Sequence, residues 1–179
     1  RLERDELLGF CALLLLGGSE ATANGFNNAI YLLHSHPALR HQLIDDPSLF
    51  DSAVEESLRL EAPVSGLSRV VTKDIEFLDQ KIEKGSRVHM LYASANRDET
   101  VFSEPDSFRL GRHPNPHLTF GLGVHFCLGA ALARMELSIG LQELLARFPS
   151  YELIPERWER LVSDTGRGFV RQPARLNAN

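Results

Sequence analysis

The stretch Phe120-Gly121-Leu122-Gly123-Val124-His125-Phe126-Cys127-Leu128-Gly129 decides how the rest of this chain is read. It ends a glycine-rich turn with a cysteine placed at the start of an expected helix. Unpaired N–H groups and the helix dipole at such a place favour a thiolate. Gly121, Gly123 and Gly129 leave the backbone bare, so a large flat partner can approach without side-chain clashes. Phe120 and Phe126 add aromatic surface, and His125 offers a polar group to an anionic edge.

A thiolate, a bare backbone and an apolar wall are what a haem iron needs from one side. The plain alternative is a glycine-rich turn around a buried structural cysteine. A phosphate loop is excluded, because no Gly-Lys-Ser/Thr follows. A zinc site built from His113, His117, His125 and Cys127 is conceivable, although no Cys-x-x-Cys pair accompanies them.

Outward from this loop the chain reads as mainly helical with a minor β part. Residues from about Arg4 to His36 form one long, very apolar helical pattern with Gly17 and Gly18 in its middle. Adjacent glycines weaken a helix but open its surface to a bulky ligand. Pro37 opens a second helix to about Asp45, and a third spans about Leu49 to Leu60, ending before Pro63. Arg69-Val70-Val71, Ile75-Glu76-Phe77 and Arg87-Val88-His89-Met90 alternate as a small β-sheet with a turn at Lys84-Gly85. From Asn96 to His117 the chain is irregular, and in a compact domain such segments tend to be functional. Helical periodicity returns after Cys127 and runs to Phe148. The tail after Pro149 reads as loop with short strands.

The 179 residues are 43% hydrophobic and 24% charged, which suits one globular domain with a real core. A net charge of -5 argues against a nucleic-acid partner. The longest apolar run, Leu7 to Leu16, is short for a membrane span, and no signal-peptide pattern precedes it. Cys11 and Cys127 make no disulfide framework, so a cytoplasmic setting is expected. The opening Arg-Leu-Glu-Arg-Asp-Glu lacks an initiator Met and runs straight into a helix, and is read as a cut through a longer protein.

The loop resembles the haem-binding segment of the cytochrome P450 family, Phe-Gly-x-Gly-x-His/Arg-x-Cys-x-Gly, with every fixed position filled. The resemblance extends over essentially all 179 residues, in the style of soluble bacterial members. It implies a single partial domain, the C-terminal, haem-binding part of the P450 fold from the distal helix onward. It implies haem b with Cys127 as the iron ligand, Phe120, Gly121 and Gly129 shaping the loop, and Arg69 and His125 at the propionates. His117 falls near the haem edge by the same pattern. Glu56 and Arg59 match a motif that pairs on one helix face and, in this family, joins an arginine before the haem loop; Arg112 matches that member. Leu13, Leu14, Gly17 and Gly18, then Val64 to Leu67 and the Gly168-Phe169 loop, are implied to face a pocket for a small lipophilic substrate. His34, His36, His41 and His89 read as ordinary helix-end or strand residues.

The resemblance implies a monooxygenase fed by a ferredoxin-type redox partner, with Arg112 and Arg134 offering positive charge to that partner. One departure bears on mechanism. Gly17-Gly18-Ser19-Glu20-Ala21-Thr22 carries the family's acid as Glu20, but Ala21 stands where the family has an alcohol. Thr22 lies about 100° further round the helix, unless a local bulge turns it inward. A substrate hydroxyl with ordered water is the expected substitute. Ala21 also admits a peroxygenase, isomerase or dehydratase on the same scaffold, and a haem-free structural homologue is the non-enzymatic alternative.

Overall fold

Glu3 and Glu6 open the longest element by capping each other: the Glu3 amide donates to the Glu6 carboxylate at 2.8 Å, and the Glu3 side chain accepts in return. The computed structural model describes residues 1–177. Helix α1 (Arg4–Ser35) is α-helical throughout, passing Gly17 and Gly18 without a break or bulge. Its two ends differ. Residues 4 to 20 are exposed, including Leu15 and Leu16, whereas Asn24, Gly25, Asn28, Ala29, Leu32 and Leu33 are buried.

Taken whole, α1 is long and apolar enough to cross a membrane, with a mean hydropathy of 1.3 over its best 18-residue window. The run Leu7 to Leu16 understates this, because apolar residues continue beyond the glycines. That window lies on the exposed first half of the helix, whereas the second half is a core helix.

Pro37 at the first turn starts α2 (Pro37–Asp45). The Asp46 side chain then caps a 3-10 turn over Pro47–Leu49 by accepting from the Ser48 amide at 3.1 Å. Helix α3 (Phe50–Leu60) follows, with Phe50, Ala53, Val54, Ser57 and Leu58 repeating at helical spacing on its buried face. After a short α4 (Tyr92–Ala95), the last helix is α5 (Ala130–Arg147).

The core forms where the second half of α1, α3 and α5 meet, around Leu33, Leu58, Leu137, Leu141 and Tyr151. Gly140 permits the α1–α5 approach, since a Cβ there would press into the Phe26 ring. Tyr151 locks the assembly, its hydroxyl donating to the Ile30 carbonyl at 2.7 Å. The face of α5 carrying Leu132, Met135 and Ile139 stays open.

The β part differs from a single small sheet. Strand β1 (Leu67–Val70) pairs antiparallel with β4 (Arg87–Met90), so Arg69 faces Val88 across the ladder. Between them β2 (Ile75–Phe77) and β3 (Gln80–Ile82) form a separate hairpin. The turn at Lys84-Gly85 is present, with Gly85 at φ 89°. A second turn at Leu78-Asp79 was not expected; both residues take positive φ, 48° and 59°, without the glycine that usually announces such a turn. Near the C-terminus, β5 (Glu152–Leu153) pairs with β8 (Ala174–Arg175), and β6 (Glu159–Arg160) with β7 (Phe169–Arg171).

Leu141 is fully buried at the α1–α5 contact. Leu141→Ala is expected to cost about 2–5 kcal/mol, read as a lower denaturant midpoint. The same change at Leu132, on the open face, costs far less in this chain.

Candidate functional site

An ion pair inside one helix turn supports the cysteine loop from behind. Glu56 and Arg59, three apart on α3, are both fully buried and meet through two 2.8 Å bonds. Arg59 spends its remaining N–H groups on the carbonyls of Asn96 (2.8 Å), Pro105 (2.6 Å) and Ser107 (3.0 Å). Glu56 accepts further bonds from Arg112 Nε (2.9 Å), the Arg109 amide (3.1 Å) and Asn115 Nδ2 (3.2 Å). Burial alone would raise the Glu56 pKa, but the bonds from Arg59 and Arg112 outweigh it and hold the carboxyl below its ordinary value. A buried charge pair is tolerable only when satisfied in this way. Glu56, Arg59 and Arg112 are thus brought together, and they pin the irregular segment between α4 and the loop.

Two further residues carry that order into the loop. Asn96, fully buried, accepts from the Leu118 amide at 2.7 Å and donates to the Arg59 carbonyl and to Thr119 Oγ1. Thr119 donates to the Leu58 carbonyl at 2.7 Å. From there the chain turns sharply at Gly121 and Gly123, at φ 72° and 73°, which glycine alone adopts freely. The Cys127 amide donates back to the Phe120 carbonyl at 2.9 Å and closes the turn. Cys127 is a free, exposed thiol. It lies three residues ahead of the first residue of α5 rather than on it, with Gly129 as the helix cap.

Phe120 and Phe126 flank the loop with ring centroids 6.3 Å apart. Beside it, Arg69, His125, Gly121, Tyr92 and Leu118 line a cleft of about 390 Å³. Two basic side chains from β1 and the loop therefore share one opening.

Other expected site residues sit elsewhere. His117 is not at an open edge: its ring is 2% exposed and Nε2 lies 3.1 Å from Glu55. Glu55 also accepts two bonds from Arg134, at 2.6 and 2.9 Å. The Arg134 guanidinium lies 4.4 Å over the Phe120 ring and so ties α5 to the loop. Burial opposes the charge on Glu55, but bonds from His117 and Arg134 bring its pKa down to about 2. Arg112, with a side chain 5% exposed, donates to Glu56 and to the Ser103, Glu104 and Ser107 carbonyls. Arg112 therefore joins Glu56 as the resemblance implied, whereas Arg134, with 39% of its side chain exposed, is paired with Glu55 of α3.

Phe169 is also corrected. Its ring is buried against Tyr31 and Trp158, under the Arg160 guanidinium at 3.9 Å, so it is core rather than pocket wall. Leu13, Leu14, Gly17 and Gly18 lie on the open part of α1, with nothing within 4 Å of a Cβ at either glycine. Val64 is half-buried and Leu67 is exposed at the start of β1. Glu20 is exposed and Ala21 and Thr22 are half-buried on an unbulged α-helix, so Thr22 is not turned into the position of Ala21. Among the described residues no group of three His, Cys, Asp or Glu could hold a metal, so the zinc arrangement is not formed.

Sequence reasoning passed over Glu55, Asn96, Asn115 and Thr119. Their partners lie 22 to 79 residues away in the chain, so no local pattern announced them.

The cytochrome P450 family model matches residues 1–178. The chain belongs to the cytochrome P450 family. It is 42% identical to the steroid C26-monooxygenase of Mycobacterium tuberculosis (strain CDC 1551 / Oshkosh) over 87% of this chain and 42% of that protein. The crystal structure of CYP109E1 from Bacillus megaterium in complex with testosterone superposes with a TM-score of 0.94 at 37% identity, covering 99% of this chain and 50% of that one. That of P450BioI in complex with hexadec-9Z-enoic acid ligated acyl carrier protein gives 0.94 at 38% identity, covering 99% and 46%. The chain spans about two fifths of the length of the curated relatives it matches, from 39% to 44% among those with the strongest similarity.

The Glu55 cluster makes a signed pH prediction. A carboxyl held at about 2 instead of 4.5 contributes stability fully present above pH 4.5 and lost as the pH falls toward 2. Glu55→Gln is expected to lower stability at neutral pH and to flatten the decline between pH 4.5 and 2, measured as denaturant midpoints across that range. An unchanged slope would show that the cluster does not titrate with folding.

Proposed function

We propose that the whole protein is a haem-dependent monooxygenase, with haem b held by Cys127, acting on a lipophilic small molecule. The observation that carries this reading is the Cys127 thiol itself, exposed at the end of a turn that buried side chains hold rigid from behind. Such a ligand is useful only if its position is fixed.

The residues fit the group. Arg69 and His125 share the cleft beside Gly121, where a cation and an imidazole can meet two carboxylates. The loop offers Leu122, Val124, Phe126 and Leu128 as exposed apolar surface, and α1 offers Leu13, Leu14 and the bare Gly17-Gly18 step on its exposed half. When bound, the haem supplies the oxidising chemistry, and thiolate ligation favours O–O cleavage. This chain's part is to hold the thiolate, seat the carboxylates, exclude water with apolar side chains and handle protons.

Proton handling falls to Glu20, whose carboxyl is exposed on the open stretch of α1. Ala21 provides no hydroxyl, so a substrate hydroxyl with ordered water completes the route. The same Ala21 favours a second reading, a peroxygenase, isomerase or dehydratase that needs no such route. Similar structures hold testosterone in one case and an acyl carrier protein ligated to hexadec-9Z-enoic acid in another, which supports a lipophilic substrate class. Electrons come from a ferredoxin-type partner meeting the face near Cys127. Its complementary charge is sought outside Arg112 and Arg134, which are already paired. A cytoplasmic setting fits two unpaired cysteines.

The carbon monoxide difference spectrum of the reduced full-length protein tests the ligand. A strongly red-shifted Soret band, lost in Cys127→Ser, is expected. An unshifted haem band would rule out thiolate ligation, and absence of haem would leave the structural homologue. Ala21→Thr is expected to change the ratio of product formed to reductant consumed while the haem spectrum persists. Product formed with peroxide but not with reductant and oxygen would favour the second reading.

A further inference from the structure

A second buried polar cluster lies away from the cysteine loop. Glu61, just past α3, is 5% exposed and accepts two bonds from Arg167, Nε at 2.6 Å and Nη2 at 2.8 Å. Asn28 of α1 donates Nδ2 to both the Glu61 carbonyl (3.0 Å) and the Arg167 carbonyl (2.9 Å). The backbones are stitched alongside. The Ser65 amide donates to the Thr165 carbonyl at 2.7 Å, and the Arg167 amide to the Pro63 carbonyl at 2.9 Å. Val64 and Gly166 pair as an antiparallel bridge. Gly168 rests on Asn24 so closely that any Cβ would collide with that side chain.

Three segments therefore meet here. The first is α1 just beyond Glu20-Ala21-Thr22. The second is Val64 to Leu67, which runs into β1 and carries Arg69 to the cleft. The third is the loop from Leu161 to Gly168, whose Val162 is 97% exposed. Loops of this kind drift unless something pins them. A bidentate arginine–carboxylate pair is directional, and Glu61 is too buried to release its partner cheaply.

We propose that Glu61 and Arg167 are positioning residues for ligand selection. Their ion pair fixes the spacing between the Val64–Leu67 wall and the Leu161–Gly168 loop, and so sets how large a ligand the haem side admits. This rests on the haem-pocket reading above.

The test uses the haem-loaded full-length protein with Arg167→Gln and Arg167→Lys; the arginine side chain is 46% exposed, so both changes are mild for the core. Amide hydrogen exchange is followed at Ser65 and Arg167 (residue 167 in the variants). Imidazole and clotrimazole are titrated by their nitrogen-ligand difference spectra, the first needing only the iron and the second the whole pocket. Arg167→Gln is expected to speed exchange at both amides about tenfold and to shift clotrimazole affinity about tenfold, with imidazole changed less than about twofold. The lysine variant falls between. Unchanged exchange at either amide, unchanged clotrimazole affinity, or equal shifts for both azoles overturns the proposal. If the glutamine variant does not load haem, the lysine variant decides by the same readings. Missing thiolate ligation in the unmodified protein defeats the haem reading instead, while the exchange data still score the coupling.

Discussion

The buried pair Glu56–Arg59 is the interaction on which the rest of the site depends. Taking both charges out of water is expensive, and their mutual attraction repays it only if every remaining donor and acceptor is used. Here the five N–H groups of Arg59 and five acceptances by Glu56 are all filled. The partners that fill them come from residues 96 to 115, a segment with almost no ladder of its own. An irregular stretch of that length keeps one shape only if side chains from a rigid element define it. The charge pair therefore needs the segment, and the segment needs the pair. The thiol of Cys127 inherits its position from that mutual requirement, through Asn96 and Thr119.

Much of this was legible before any coordinates. Proline punctuation at 37, 47 and 63 and helical periodicity place α1, α2 and α3 within a residue of their observed ends. The glycines at 121 and 123 announced a turn that requires positive φ. What escaped follows a pattern. Leu78-Asp79 turns without glycine, so local composition carried no sign of it. Phe169 was assigned to a pocket wall, His117 to the haem edge and Arg134 to a surface facing a partner. Each is instead bound by a partner far away in the chain, and residue type alone does not reveal whether a cation is already matched. Cys127 sits three residues short of α5 because Gly129, not the cysteine, caps the helix.

Helix α1 shows how little hydropathy decides by itself. Its composition suits a membrane, a protein core or a ligand-facing wall equally well. Contacts separate these for the second half, where Asn24 and Asn28 are buried and Asn28 is hydrogen-bonded to loop carbonyls. Asparagines in that role belong to a packed interior, where polar groups must find fixed partners. In the first half the same helix is exposed, and the Gly17-Gly18 step stays open.

Helix α3 and the turn that follows it hold the layout together through three acidic side chains, each serving a different neighbour. Glu55 binds Arg134 of α5 and His117, and through Arg134 reaches Phe120 of the loop. Glu56 binds the irregular segment. Glu61 binds the C-terminal loop. Adjacent residues on a helix point about 100° apart, so Glu55 and Glu56 cannot compete for one partner. Glu61 stands past the helix end, where the backbone has already left α-helical geometry. Apolar burial would bring these parts together but would tolerate small slides, since it is non-directional. Carboxylate–guanidinium pairs do not tolerate them, because the bidentate fork fits in one register. That difference explains why a chain with an adequate apolar core also commits three buried or half-buried carboxylates to one short helix and its end: the core supplies stability, and the charges set where the loops stand.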